Sequence, residues 1–585
     1  MGTVWIKEFR GGLDSRRMVE TASAGVLIEG LNGHITRGGE FESRAAFVKE
    51  YELPEGTVGM GYTRTGIVVF GSVDEPDGIP DGITYQKLTP PGDAVLLDVP
   101  SFDLYSGKIY AVGVFSDGSR LHFYDGVQVE DWADGRARAS FTITGGTSSG
   151  TASTITSITA NGVEILGSTV TWDTSHEVTA AAVAAQINLT SSTPEYTAVS
   201  SGATVVILYA TSGTTINDAP VLMTLADGFA VAPSSGLVMA GGADSGDGFT
   251  PGGFVRTIRS KMYSTSGPNM HFSGIQAPTQ WTTEAAGAGF VDLSSYSSGA
   301  EELKALASYQ GQVAVFAETG IQVWYVDPDP LLNRQTQELG NTGTVAANSV
   351  TQFGDNDLFY LDTSGCRSLR ARDASNAAST TDIGSAIDTL ISAKVSALSA
   401  AELEQVSGLI APGDSRFWLV MKDVIYVFTY FPSAKVSAWT QYSTVDDSGE
   451  AFTAEQALAY GRKVYIRGGN SIYVYGGLGS GTTYDSTEAV ARTPYLDADW
   501  PTRKKGFQGI DAALRGQWSV YAGHEPEDTN AKDKIAVLDH TTFTQQRISY
   551  NHSATHISLT FKSKGVGPHK LGACVIHHDL DDAED

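Results

Sequence analysis

The chain has 585 residues, more than one ordinary core can use, so roughly two to four domains are expected; its 39 basic and 66 acidic residues give a net charge of −27. That sign excludes bulk attraction to phosphate backbones, which needs clustered Lys and Arg. Composition is globular and strand-prone, with 41% hydrophobic residues, 18% charged residues, 65 glycines and 24 tyrosines, and no apolar run is long enough to span a membrane.

The opening MGTVWIKEFRGG has no basic segment followed by an apolar one, so no secretory leader is expected. Residues 1–50 are rich in Arg (FRGGLDSRR, GHITRGGEFESRAAF) and poor in strand periodicity; they are expected to pack with the C-terminal domain as a platform. The acidic run VDEPDGIPDG, with Asp74, Glu75, Asp77 and Asp81, lacks the alternating ligands of an EF-hand loop and reads as exposed. YAVGVFSDGSRLHFYDG then reads as a hairpin turning at Asp117-Gly118.

Composition shifts next. From Ala139 to Val255 there is no Lys or Arg, while Thr, Ser, Ala and Gly dominate. Residues 138–249 are read as a small β-rich domain inserted into a blade, with one amphipathic helix in EVTAAAVAAQINLT. The alternating TITSITANGVEIL and the apolar VVILYA argue against a disordered Ser/Thr linker.

From Met262 onward a hairpin recurs at one internal spacing. Met262 and Met270, Val313 and Ile321, Leu358 and Cys366, Phe417 and Ile425, and Val464 and Ile472 are each eight positions apart, and successive first anchors are 51, 45, 59 and 47 residues apart. Those steps match four-stranded propeller blades of about 40 to 60 residues. The predicted fold is therefore mainly all-β: a β-propeller of about six blades, six or seven by hairpin count, formed by residues 51–137 and 250–477. An irregular sandwich or barrel is the alternative. GGLGSG at Gly476–Gly481 lacks the Lys of a phosphate loop and reads as a flexible linker to a C-terminal β-domain, 478–585. The terminal HHDLDDAED reads as a solvated tail, and Cys366 and Cys574 as buried free thiols.

No reaction motif rises above background: GxSxG, HExxH, GxxxxGK[ST] and the sialidase Asp box are all missing. Propellers can cleave glycosides with paired carboxylates, but nothing in the sequence singles out a pair. The expectation is a non-enzymatic protein without cofactor or metal; a carbohydrate-binding or carbohydrate-cleaving propeller is the alternative.

Three stretches carry a resemblance. KEFRGGLDSRR (Lys7 to Arg17), SYQGQVAVFAETGIQVWYVDPDP (Ser308 to Pro330) and NTGTVAANSVTQFGDNDLFYLDTSGCRSL (Asn341 to Leu369) resemble tail nozzle proteins of short-tailed bacteriophages, the tubular tail family that includes packaged-DNA stabilisation proteins. The resemblance implies a propeller-containing subunit of a homo-hexamer below the portal and its adaptor. Such a ring continues the DNA channel, retains and then releases the genome, and offers side surfaces to tail fibres or spikes. It also implies a virion tail protein assembled in the host bacterial cytoplasm, with no membrane anchor.

Within that resemblance the charge pattern gains a meaning. Duplex DNA carries one charge per about 1.7 Å, so a cationic wall would grip it, whereas carboxylates repel it over a Debye length of about 8 Å. The insert holds Glu164, Asp173, Glu177, Glu195, Asp218, Asp227, Asp244 and Asp247 and, from Ala139 onward, no Lys or Arg. Glu164, Asp173, Glu177, Asp218 and Asp227 are the candidate channel lining, passing double-stranded DNA without specific binding; an outward-facing accessory surface is the equal alternative. Arg10, Arg16 and Arg17 are candidate contacts to the adaptor ring, the alternative being local pairing with Asp14 and Glu20.

Overall fold

The five repeated hairpins share one register. In the computed structural model, Thr265 pairs with Met270, Phe316 with Ile321, Leu361 with Cys366, Val420 with Ile425 and Arg467 with Ile472. In each, the residue three places after the first anchor faces the second anchor. Three is odd and side chains alternate along a strand, so the two anchors of a hairpin lie on opposite faces of their sheet. All ten anchors are at most 2% exposed. Each hairpin is therefore covered on both faces, which a two-layer antiparallel sheet with one wet face does not require.

The structure describes residues 2–88, 95–116, 118–124, 129–131, 136–242, 253–278, 281, 287–294, 301–354, 356–370, 382–544 and 547–580. The chain divides into two compact units, 54–338 and 1–53 with 339–585. In the first, Val58–Tyr62, Ile67–Gly71 and Ile83–Lys87 form a three-stranded sheet whose last pair is parallel. Three four-stranded meanders accompany it, running over Leu96–Asp131, Val255–Asp292 and Ala305–Gly340. In the second, Thr351–Ser368 gives a three-stranded meander and Ser407–Ser443 a four-stranded one. The meander Gln456–Tyr475 takes its fourth strand from the start of the chain: Phe47–Glu52 pairs antiparallel with Ser471–Tyr475. The fold is mainly β and built of propeller-type blades, as the sequence predicts.

The strand Val436–Ser443 does not end its sheet. Glu29–Leu31, Val490–Arg492, Ser558–Lys564, Gln517–Gly523 and Asp533–Leu538 follow it in one nine-stranded sheet. A second terminal sheet pairs Gly2–Ile6 and Lys505–Arg515 with Lys570–Leu580. Between them Ile6, Phe9, Leu27 and Phe41 share a core with Phe507, Trp518, Phe561 and Ile576. A terminal β-domain is thus formed from both chain ends.

The insert has a core of its own, running from Ala137 to Met239 and including Phe141, Ile158, Val183, Tyr196 and Ile207. Its helix, His176–Leu189, starts where the Ser175 side chain accepts a hydrogen bond from the Val178 N–H and buries Thr179, Ala180, Val183, Ala184 and Ile187, a 3.6-residue stripe.

Several expectations need correction. Two helices, Asp388–Ala397 and Ala400–Glu404, fall within the longest anchor step, where only blade strands were expected. Ile391 and Val395 bury one face of the first, and Ser399 and Glu402 form a capping box on the second. GGLGSG is no free linker at its start: Gly476 N–H donates to Ala46 O at 2.7 Å and Leu478 N–H to a Glu50 carboxylate oxygen at 2.7 Å. Gly476 and Gly477 have φ of 74° and 69°, a turn that favours glycine. His577 and His578 are no solvated tail either, since both lie in the strand Lys570–Leu580. His577 sits 2.8 Å from Asp511, and His578 is buried opposite Phe507. Cys366 and Cys574 are buried and free, as predicted.

Candidate functional site

The Arg-rich start is fixed by its backbone before its side chains matter. Gly12–Leu13 pairs with Val26–Leu27, and Ser15 N–H donates to Ala386 O at 2.8 Å. The loop between them holds nearly buried Asp14, whose carboxylate lies 3.8 Å from Arg16 Nε and 3.7 Å from Arg17 Nε. Both guanidinium groups stay about half exposed, at 41% and 51%. Two cations on one carboxylate leave one net positive charge at an exposed tip. Arg10 pairs instead with Glu8 at 2.9 Å. Glu20 takes none of the three, and its Oε2 is buried without a hydrogen-bond partner.

The candidate lining acids of the insert are all exposed, but the structure splits them into two groups. The strand Thr154–Ala160 runs between them. Its Thr154 end pairs with Thr171 and Ala226, next to Asp173, Glu177 and Asp227; its Ala160 end pairs with Val163 and Val221, next to Glu164 and Asp218. Six residue steps put the groups about 20 Å apart. Asp218 and Asp227 occupy turns at φ of 62° and 55°. Glu177 lies in the first helical turn, where Ser175 and the helix N-terminus hold its carboxyl below the ordinary value. Asp244 and Asp247 lie outside the described residues.

Glu164 has a second job. Its carboxylate accepts from the Ser157 hydroxyl and from the backbone N–H of Leu166, Gly167 and Ile158, the last three at 2.9, 3.2 and 3.3 Å. Burial pushes its pKa up, but these four donors outweigh it and hold the group below the usual carboxylate value.

The acidic loop Asp74–Asp81 is exposed, with Asp74 on Lys87 at 2.8 Å. Among the described residues no group of three or more His, Cys, Asp or Glu could hold a metal ion. Among the described residues no helix is long and apolar enough to cross a membrane.

A feature without any sequence signal is a cleft of about 440 Å³ in the unit formed by 1–53 and 339–585. Its walls include Trp418, Phe431, Tyr475 and Tyr484, with Arg416 beside Asp414 and Lys570 beside Glu42 at 2.9 Å. Beneath it Tyr442 places its hydroxyl 2.8 Å from His34 Nδ1, and Tyr475 OH accepts from Ala45 N–H at 3.0 Å. Burial, then the charges of Arg416 and Lys570, hold His34 well below its ordinary pKa, so the imidazole is neutral where it shares a hydrogen bond with the Tyr442 hydroxyl. The lining residues come from five separated stretches, so no spacing in the sequence announces them.

No protein family's sequence profile matches this chain, and no curated protein matches it in sequence. Among solved structures, the computationally designed Ika8 protein is similar over 74% of this chain and 99% of its own, at 12% identity and a TM-score of 0.29. The Pan2 WD40 domain of Neurospora crassa is similar over 39% of this chain and 63% of its own, at 9% identity and a TM-score of 0.24. PorZ, a surface component of the type-IX secretion system of Porphyromonas gingivalis, is similar over 65% and 37%, at 12% identity and a TM-score of 0.24. Scores this low carry no argument, and the fold stands on its own strand pairing.

Proposed function

We propose that this chain is a structural virion protein, the nozzle subunit of a short phage tail, assembling as a sixfold ring that continues the DNA channel below portal and adaptor. The observation that carries the reading is the insert, a module with its own core whose exposed side chains include carboxylates and, from Ala139 to Val255, no cation at all. Such a surface suits a part that must stand beside DNA without gripping it. Of the stretches that resemble nozzle proteins, Ser308–Pro330 lies in the meander Ala305–Gly340, Asn341–Leu369 contains the meander Thr351–Ser368, and Lys7–Arg17 places Phe9 in the terminal core and Leu13 in the cluster of Phe359 and Trp439.

The test is assembly. Purified chain added to adaptor-bearing particles is expected to form a sixfold ring at the tail vertex, visible by electron microscopy; chain that stays free of such particles overturns the reading. Assembled rings should not retain duplex DNA at physiological salt, and tight retention would refute the channel role of the insert. The carbohydrate reading draws on the aromatic side chains of the cleft. Glycoside cleavage there would need two carboxyl groups free to flank the scissile bond, yet Glu42 and Asp414 are each engaged in an ion pair. Binding of a neutral glycan in the cleft, without hydrolysis, is the form of that reading left to test.

A further inference from the structure

The cleft is cationic in a chain that is not. Arg37, Arg416, Arg462, Lys463 and Lys570 line it against Glu42 and Asp414, five positive groups to two negative, while the whole chain carries −27. The two acids are taken by Arg416 and Lys570. Arg37 lies over the Phe431 ring, 4.8 Å from its centroid. Among the described residues, Arg37, Arg462 and Lys463 make no ion pair.

Two buried donors in the wall are also left over. Arg416 Nε and Trp418 Nε1 have no hydrogen-bond partner, although the residues are only 7% and 1% exposed. Both atoms are closed off from solvent, so they add to the electropositive wall without touching a ligand themselves. A guanidinium edge offers N–H groups in a fork that fits two oxygens of one carboxylate or phosphate. Burial is the main reason His34 stays neutral, and the charges of Arg416 and Lys570 add to it. The volume of about 440 Å³ falls in the range of small-molecule sites.

We propose that this cleft binds a small organic oxyanion, a ligand of up to about mononucleotide size whose phosphate or carboxylate oxygens meet the guanidinium and ammonium groups that line it. Arg37, Arg462 and Lys463 supply the charge that draws it in. The site is independent of the tail role, and its failure would leave that reading untouched.

The experiment is titration calorimetry of the full chain with pyrophosphate, with citrate and with uncharged maltotriose. Saturable binding of at least one anion is expected at about millimolar Kd or tighter, weakening steeply between low and moderate salt, with none for maltotriose. Preference for pyrophosphate assigns a phosphate ligand, preference for citrate a carboxylate ligand. Arg37→Glu and Arg462→Glu change exposed side chains and should leave the fold intact while weakening binding about tenfold or more each, the scale of a charge-assisted hydrogen bond. Arg416→Lys keeps the charge but loses the fork and should weaken binding similarly. If neither anion binds saturably, or if binding survives Arg37→Glu with Arg462→Glu unchanged, the proposal is wrong. Equal binding of maltotriose would also overturn it.

Discussion

Arg44 and Asp485, 441 positions apart in sequence, meet at 3.1 Å with both side chains almost wholly buried. Arg44 also donates to Ala45 O, Val445 O and Thr487 Oγ1 at 2.7, 2.9 and 3.2 Å, and its guanidinium stacks 4.7 Å from the Phe47 ring. Nearly every donor of the group is used. Removing one partner of such a pair strands the other, so Arg44→Ala should cost about 3 to 5 kcal/mol, read from urea unfolding of the unit it belongs to. Arg44→Lys keeps the charge, loses the fork, and should fall between. A loss under about 1 kcal/mol for Arg44→Ala would show that the pair behaves like a surface one.

Acid should weaken the protein before its carboxylates titrate. Burial is the largest cause holding His34, His271, His524, His556, His569 and His578 below the ordinary histidine value, His271 at about 4. Unfolded histidines take protons near pH 6.5 while the folded ones still refuse them. The unfolded state therefore binds more protons in that window, and stability falls as pH drops. Urea midpoints should be level above about pH 7 and decline from about 6.5 to 5, above the range where ordinary carboxylates contribute. His34→Gln should make that decline shallower; a flat wild-type profile would contradict the assignment.

Glu164 is the lining candidate whose carboxylate gathers four donors. Glu164→Ala strands the donors of Ser157, Ile158, Leu166 and Gly167 and should destabilise the insert by about 1 to 3 kcal/mol. Asp218→Asn, at an exposed turn whose φ of 62° Asn also tolerates, should cost much less. Hydrogen exchange of the strand Thr154–Ala160 reads the difference directly.

The tip carrying Arg16 and Arg17 separates folding from attachment. The pairs with nearly buried Asp14 are long, at 3.8 and 3.7 Å, so changing both arginines to Gln should cost about 1 kcal/mol or less and keep the fold. If the tip meets the adaptor, the same variant should fail to join tails in a pull-down with adaptor-bearing particles. Wild-type attachment by the variant would remove these residues from the interface.

Both thiols should be silent in the native protein. Burial raises both Cys366 and Cys574, the latter to about 12, so neither offers thiolate at neutral pH. A thiol reagent should find no fast-reacting group until denaturant is added, then two.

The repeated hairpins were legible because their anchors are apolar on both faces, so a spacing of eight survives as a sequence signal. The helix in the insert was legible through its small-residue stripe. The helices at 388–404 were missed under the strand array, although Ser399 and Glu402 spell a capping box and Ile391 and Val395 stand one turn apart. His577 and His578 were misread because the end of a chain suggests solvent. The buried alternation Cys574, Ile576, His578 was there to be seen. The cleft could not be read at all: its cations come from positions 37 to 570 and are neighbours only once the terminal segments have folded together.

The partner of Phe47–Glu52 is made late. Its mate, Ser471–Tyr475, follows after more than 400 residues of translation, which at about 5 to 20 residues per second means a wait of roughly 20 to 85 s. For that time the early strand has an open edge on the ribosome-bound chain, available to any other unpaired strand. Vectorial folding from the N-terminus is thus ruled out for this unit, and nascent chains stalled before residue 471 should aggregate or recruit chaperones where chains stalled well beyond 475 do not.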